Sequence, residues 1–574
     1  MRRILAIIVC LCVFLLPGAM AQGITTPDAG RLLQEQKQLE SQPPKRLPSP
    51  EQGEDEGTPV ADTGVRVNIK GFRFSGITGV ASETELQPLV QQALGKELDL
   101  AELQSLAKRV TIYLRSKNYL LARAYLPEQD ITEGIVEIAV IAGRIEGQAS
   151  IQAGESLRLR ESFLLAMANR GAAAGTALRD DQLERSLLLM NDLPGISAQA
   201  ILERGSAPGT TRVLIDITEG PLFSGGLSVD NFGNRYTGTV RGSAQAAIND
   251  PFGSGDQFRL ALTAADDLRS GVVGYSLPLG SSGLKGSINY FMLTYELEKE
   301  LSDLDAEGRA NTLSVNLSYP HIRTRRFSLW QGISYEHRDL EDEMADDVVR
   351  DRELDVATLD LSASTYDRFG GGALNSMRVS VSFGHLNLGI AADAAADAAG
   401  PGTEGAYSKF TYSLSRLQRL TNRLNLFGAV NGQLAWQNLD SSEKFLLGGP
   451  AAVRAYPVGE AAGDEGHCIT VELRYELPVK PRWSDIQIIA FFDAGNITLY
   501  NETWDNAVNT ATGRNDYWLY GGGGGINLGK TGRYALRVSA THTVGGNPGR
   551  STAGKNADNK TNDSRFWLQG ILWF

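Results

Sequence analysis

The spacing of apolar residues along the chain changes once, near residue 220, and the change separates two kinds of architecture. Before it, apolar positions recur at helical spacing. Leu86, Leu89, Val90 and Ala93 share one face, and Leu103, Leu106, Val110, Tyr113 and Leu114 share another. Each run opens on a capping box, Ser82-x-x-Glu85 and Asp99-x-x-Glu102, in which the first residue and the fourth satisfy each other's free backbone N–H groups. Strands are expected over 67–74, 121–126 and 134–141, so the order is β-α-α-β-β. The same order recurs with a strand near 144–151, helices near 161–169 and 180–192, and strands over 196–203 and 211–218. Two such units, 67–145 and 146–220, make an internal repeat of roughly 75 residues.

From Gly220 onward helical spacing gives way to alternation in segments of about ten residues, the signature of a membrane β-barrel. Leu313, Val315, Leu317 and Tyr319 alternate with Thr312, Ser314, Asn316 and Ser318. Ala357, Leu359, Leu361 and Ala363 alternate with polar neighbours, as do Val379, Val381 and Phe383. A soluble sandwich also alternates, but not over so many segments in one unbroken domain. Residues 221–574 number 354, room for about 16 strands at roughly 22 residues per strand and connection. A barrel of that size encloses an aqueous lumen, which leaks unless something fills it. In the last segment Phe566, Leu568, Gly570, Leu572 and Phe574 share one face, and a terminal aromatic there resembles the assembly signal of bacterial outer-membrane barrels.

The first 66 residues divide in three. Arg2 and Arg3, an apolar run over 4–16 and Ala19-Met20-Ala21 read as a secretory signal peptide over 1–21; the run is too short to span a bilayer, which takes about 20 residues. Over 22–40, Thr26-Pro27-Asp28 suggests a helix start with Thr26 as cap and Pro27 in the first helical position. Leu32, Leu33 and Leu39 among Gln, Glu and Lys make that helix too polar and short to stand alone. It is either docked on something or a disordered N-terminus. Residues 41–66 are rich in Pro, Gly and acids, an extended linker.

Loss of the signal leaves Cys468 as the one cysteine, so no internal disulfide is available. Net charge moves from −12 to −14, because Arg2 and Arg3 go and no acid does. An acidic exported chain argues against nucleic acid as partner, and five histidines offer little for a metal site. No cofactor, metal or catalytic residue is expected: G-x-S-x-G, H-E-x-x-H and a Walker loop are all missing. The run Gly521–Gly525 is better explained as a strand patch bare of side chains, where another backbone can come close. Asn249 to Asp256 is a turn of turn-favouring residues rather than a calcium loop.

One stretch stands out from this background. Leu447-Gly448-Gly449-Pro450 leads to Val453-Arg454-Ala455-Tyr456, and two strand-like runs follow. In the first, Thr470, Glu472, Arg474 and Glu476 form a charged row facing the lumen. In the second, Ile486, Ile488, Ala490, Phe492 and Ala494 face lipid, so Asp493 points inward beside Gly495. Parity sets the side and the sign of Asp493 but not its partner. Arg454 is the natural candidate, since a fork of N–H donors on a carboxylate is directional; the alternative is a loop arginine in solvent and a solvated aspartate.

The repeats resemble polypeptide-transport-associated (POTRA) modules, with Leu126-Pro127-Glu128-Gln129-Asp130 and Gly143-Arg144-Ile145-Glu146 at their join. Gly448, Gly449, Val453, Arg454 and Tyr456, with Gly459-Glu460 and Gly463-Asp464, resemble the inward-folded loop of the Omp85 superfamily, and Phe492-Asp493-x-Gly495 its partner strand. Asp230-Asn231-Phe232-Gly233, placed on the first barrel strand, and Tyr275 to Gly280 agree with this. The whole mature chain is similar to TpsB transporters of two-partner secretion, the ShlB/FhaC/HecB group. Ala455 departs from the pattern, where glycine is common. The resemblance implies a periplasmic pair of POTRA domains, a plug helix over 22–40, a barrel over 221–574 in the outer membrane, and assembly there by the barrel-assembly machinery. It implies a secreted TpsA-type exoprotein as partner (adhesin, haemolysin or contact toxin), bound unfolded by the POTRA modules. The readings it competes with are an Omp85-type assembly or insertion factor, a passive pore or receptor, and an outer-membrane enzyme.

Overall fold

The computed structural model describes residues 26–40, 66–154, 157–479, 481 and 483–574. The signal peptide over 1–21 and nearly all of the linker over 41–66 lie outside the described residues. Sixteen antiparallel strands close into a barrel, each bonded to its neighbours in chain order, from Phe223–Asp230 to Ser564–Trp573. Closure leaves the wall with no free edge, the condition for strands to cross lipid. The outward side chains are those that alternation selects: Leu313, Val315 and Leu317 are exposed, and so are Ile469, Val471, Leu473 and Tyr475. The seam between first and last strands is short. Its register runs over five pairs, from Gly226 opposite Trp573 to Asp230 opposite Gln569. The Gly225 and Phe574 backbones then exchange bonds of 3.0 and 3.1 Å. Phe327–Met344 and Asp347–Asp367, by contrast, pair over eighteen residues. The first strand ends at Asp230, so Asn231-Phe232-Gly233 belongs to the following loop.

Two α/β modules precede the barrel. In the first, the Asp99 box forms as expected: Glu102 N donates to Asp99 Oδ1 at 2.8 Å, and Asp99 N to Glu102 Oε2 at 2.9 Å. The helix Leu100–Ser116 then buries Leu103, Leu106, Val110 and Leu114. The single strand expected over 67–74 is two. Arg66–Asn68 pairs with Glu97–Asp99, while Gly71–Ser75 pairs in parallel with Ile135–Ile141. The run changes partners at Ile69 and Lys70, whose N–H groups donate to Lys96 O and Gly134 O. Likewise the strand expected over 144–151 is split by Gly147, at φ +74°, into Arg144–Ile145 and Ser150–Ala153.

The second module sits on the short turns at one end of the barrel. Arg323 holds Asp192 through two bonds of 2.8 and 2.7 Å. Arg185 Nη2 donates to Pro320 O at 2.6 Å, and Arg160 N to Gly253 O at 3.1 Å. Gly253 belongs to the turn between Arg241–Asn249 and Gln257–Ala264.

The helix Ala29–Glu40 lies inside the barrel, with Ala29, Leu32 and Leu33 buried against Leu293, Tyr295, Ala310, Leu340 and Leu354. Its cap is Asp28 rather than Thr26: Arg31 N donates to Asp28 Oδ1 at 2.8 Å. The helix begins two residues later than expected because Asp28 also meets the wall, where Arg350 Nη1 donates to its Oδ2 at 3.0 Å. Removing the Asp99 cap tests the local logic of the first module. Asp99→Ala is expected to lower its stability by about 1 kcal/mol, read as a lower urea midpoint with unchanged slope.

Candidate functional site

The connection between Leu424–Ala435 and Glu465–Glu476 turns back into the lumen instead of projecting outward. Its stem is a small hairpin in which Phe445–Leu447 pairs with Ala461–Gly463. The next strand starts at Glu465, ahead of the alternating row that begins at Thr470, because the stem delivers the chain straight to the wall. Gly448 and Gly449 have φ of +113° and +87°, a region side chains disfavour. A Cβ on Gly448 would stand 2.5 Å from Pro457 O. Beyond them Gly449 N donates to Tyr456 O at 3.1 Å, and Tyr456 N to Val453 O at 3.1 Å, closing a compact tip. Val453, Ala455 and Tyr456 pack with Leu447, Cys468, Ile497, Tyr517 and Leu519.

This tip brings Arg454 to Asp493. Nε and Nη2 donate to the two carboxylate oxygens at 2.7 Å each, and Arg454 N adds a bond of 3.2 Å. Asp493 is fully buried and also accepts from Thr470 Oγ1 at 3.0 Å. The guanidinium's third arm, Nη1, donates to Glu472 Oε1 at 2.6 Å, and its carbon lies 3.5 Å from the centre of the Phe491 ring. The Arg454 carbonyl accepts from Thr541 Oγ1 at 2.9 Å and Trp567 Nε1 at 2.8 Å. Loop residues 454 and 455 therefore touch all five closing strands. The fourth and fifth contribute Thr541 and Trp567, and the third contributes Gly521.

At Gly521 the bare strand patch has its use: a Cβ there would stand 2.4 Å from Ala455 Cβ. Gly495 receives Leu447 in the same way, with 2.3 Å left for a Cβ. Glu472 was legible as a lumen residue by parity, though not as a second acceptor for Arg454. Thr541 and Trp567 carried no signal in the sequence, because nothing local foretells the path of the tip, and Glu460 was marked only through the resemblance of its loop. Glu460 ties the loop to the outer connection over 544–563, accepting from Asn547 Nδ2 and from Ala557 N at 3.0 Å. Burial pushes its carboxyl up to about 7.

The lumen helix leans on the same loop. Arg31 donates to Gly459 O, Gln34 to Ser442 O, and Gln38 Nε2 to Leu446 O at 3.0 Å. Asp28, Asp342 and Asp440 converge on Arg352, with contacts of 3.5, 2.6 and 2.8 Å. Asn234 reaches Glu35 at 3.1 Å, and Lys37 reaches Glu336 at 3.0 Å. A cavity of about 1630 Å³ remains in the lumen, bordered by Lys37, Arg378, Arg454, Glu472 and Arg474. These groups grip and position; Arg454 is committed on three sides to carboxylates of the wall. Phe574 stands apart from this site at the seam, its ring over Gly225.

Comparison with known proteins follows this geometry. The model of the haemolysin secretion/activation protein family ShlB/FhaC/HecB matches residues 209–525, and that of the ShlB-type POTRA domain matches 67–143. The chain is 30% identical to the heme/hemopexin transporter protein HuxB of Haemophilus influenzae (strain 86-028NP), over 85% of this chain and 84% of that one. It is 23% identical to the outer membrane transporter CdiB of Dickeya dadantii (strain 3937), over 80% and 79%. The solved structure of CdiB from Escherichia coli aligns with a TM-score of 0.74 at 19% identity, covering 96% of this chain and all of that one.

Gly521→Ala is expected to push the tip off the wall, at a cost of about 1–3 kcal/mol. Ala455→Gly should relieve it, since the next atoms of residue 455 lie 3.4 Å away or more. Protease cleavage within 448–463 should rise in the single variant and return to the wild-type rate in the double.

Proposed function

Because this chain belongs to the ShlB/FhaC/HecB family of haemolysin secretion/activation proteins, we propose that it exports a large, unfolded exoprotein through its barrel. It is an outer-membrane transporter of two-partner secretion, with POTRA structure on the periplasmic side. The proposal concerns its cargo and the way it is handled. The observation that carries it is the filling of the lumen by a polar helix and an inward loop, both held by side chains that can exchange partners. Relatives are named as a heme/hemopexin transporter protein and an outer membrane transporter, and we place the cargo here in the TpsA class of haemagglutinin- or haemolysin-like chains.

The unfolded client first meets the POTRA modules. In the second, Ile196–Arg204 is bonded among the described residues on one side only, to Thr210–Glu219, and Ile201 and Leu202 are exposed along it. Such an edge takes an extended chain by strand addition. The helix Ala29–Glu40 acts as the plug, leaving the lumen when the client arrives. Beside the small apolar patch at its start, its anchors are ion pairs and side-chain bonds to wall and loop, each replaceable by water or by client. Arg454 and Asp493 act as a latch that keeps the loop seated while the helix moves. Folding of the client outside supplies direction without a nucleotide. Phe574, directly after the last strand, is the contact for the barrel-assembly machinery during biogenesis. An assembly or insertion factor is the second reading, and secretion of one exoprotein beside normal outer-membrane composition separates the two.

Deleting residues 22–66 should leave the barrel inserted and raise its conductance in planar bilayers; unchanged conductance would refute the plug. Arg454→Ala and Asp493→Ala should each reduce secretion severalfold with barrel insertion intact. Arg454→Ala leaves the buried Asp493 carboxylate without its cation, at a cost of about 3–5 kcal/mol, whereas Asp493→Ala leaves Arg454 paired with Glu472 alone. Secretion at the wild-type level by both would defeat the latch.

A further inference from the structure

The outer face of the barrel carries a cluster that secretion does not use. Phe327–Met344, Asp347–Asp367 and Ala373–Leu388 are neighbours, and their register sets His337 opposite Asp355 and Asp355 opposite His385. In the next row Asp339 stands opposite Glu353. These side chains share the outward face with Ile333, Leu359 and Phe383, which are exposed and lie nearer the modules. The row therefore begins where the apolar band of the barrel ends, on the side away from the modules.

His337 sits at the centre of three carboxylates. Its Nδ1 is 2.9 Å from Asp355 Oδ1, and its Nε2 is 3.5 Å from Asp339 Oδ1 and 3.8 Å from Glu353 Oε1. One donor atom from each of His337, Glu353 and Asp355 falls within 4.8 Å of the other two. Among the described residues, His337 is the sole ion-pair partner of these three acids. Arg309, two strands along from Glu353, is paired with Glu341 at 2.8 Å. Tyr335 OH donates to Asp355 Oδ1 at 2.6 Å and so orients that carboxylate.

We propose that this row is a divalent-metal site of the Zn²⁺ class, with His337, Glu353 and Asp355 as ligands and His385 adjoining Asp355 as the fourth. Imidazole nitrogen with carboxylate oxygen suits this ion, and four ligands at about 2.0–2.2 Å would draw the donor atoms to roughly 3.4 Å apart. Half-exposed side chains on a stiff sheet reach that by rotating. The ion takes the place of the proton between His337 and Asp355, neutralises the acids that meet there, and ties three strands together beyond the apolar band. Tyr335, bonded to a ligand, is a positioning residue. No local motif could have announced the site. His337 and His385 are far apart in the chain, and only the register of three long strands sets both opposite Asp355.

The test is calorimetric titration of Zn²⁺ into the full chain in detergent, with heat-modifiable gel mobility to confirm that each variant holds a folded barrel. One saturable site per chain is expected. Glu353→Gln and Tyr335→Phe should each raise Kd by ~10-fold or more, and His337→Ala should abolish saturation. Zn²⁺ should also raise the unfolding temperature of the wild type but not of His337→Ala. Absence of saturable uptake below millimolar Zn²⁺, or equal uptake by wild type and the Glu353→Gln and His337→Ala variants, would overturn the assignment.

Discussion

A strand crossing lipid must find a hydrogen-bond partner for every backbone group, and sixteen strands meet that demand by closing on themselves. The rest of the molecule answers the consequence. A closed wall of this size surrounds water, and its inner face is polar because alternation has sent the apolar residues outward. What fills this space binds through charge and hydrogen bonds as well as through one apolar patch, where Ala29, Leu32 and Leu33 meet Leu293, Leu340 and Leu354. Lys37 of the helix accordingly meets Glu336 of the wall, Arg31 and Glu35 reach Gly459 and Asn234 in the connections, and the loop enters behind Arg454.

The two occupants are held differently, although both use ion pairs. The helix is tied by dispersed contacts, several of them partly exposed, such as Lys37 with Glu336 and Arg350 with Asp28. Exposed pairs of this kind contribute about 0–1 kcal/mol each, so no single one governs the docked state. The loop concentrates its hold in one guanidinium against a carboxylate that is fully buried, with a packed cluster around it. Loss of one partner there is costly because the other charge stays behind in a dry place. Sharing Gly459 and Leu446 with the helix, the loop also forms part of the surface on which the helix rests.

Much of this was legible from the residue pattern, for physical reasons that also set the limit. Periodicity reports which face of an element is buried, so it located the two modules, the barrel wall and the inward side of Asp493. The Asp99 box was readable because a cap is a contact between residues three apart. Spacing alone failed where the partner is distant in the chain. Asp28 displaced Thr26 as helix cap because the barrel wall recruits Asp28, and the run 67–74 broke because two sheets compete for it. Trp567 and Thr541 joined the Arg454 site through a loop path that no local spacing encodes. The bare run at 521–525 was readable as a place of close approach, though the visitor, Ala455, was not.

The seam described above makes the wall unequal around its girth. Where Phe327–Met344 meets its neighbour, eighteen paired residues resist separation; where first and last strands meet, five do. A cylinder built this way has a stiff side and a compliant one. Pressure from within, as from a chain wider than the resting bore, is met least by the stave joint with the fewest bonds. Trp567, bonded to the Arg454 carbonyl, stands on one of the two strands at that joint. While Arg454 is seated, that bond acts as a hoop, bracing the soft side of the vessel from inside.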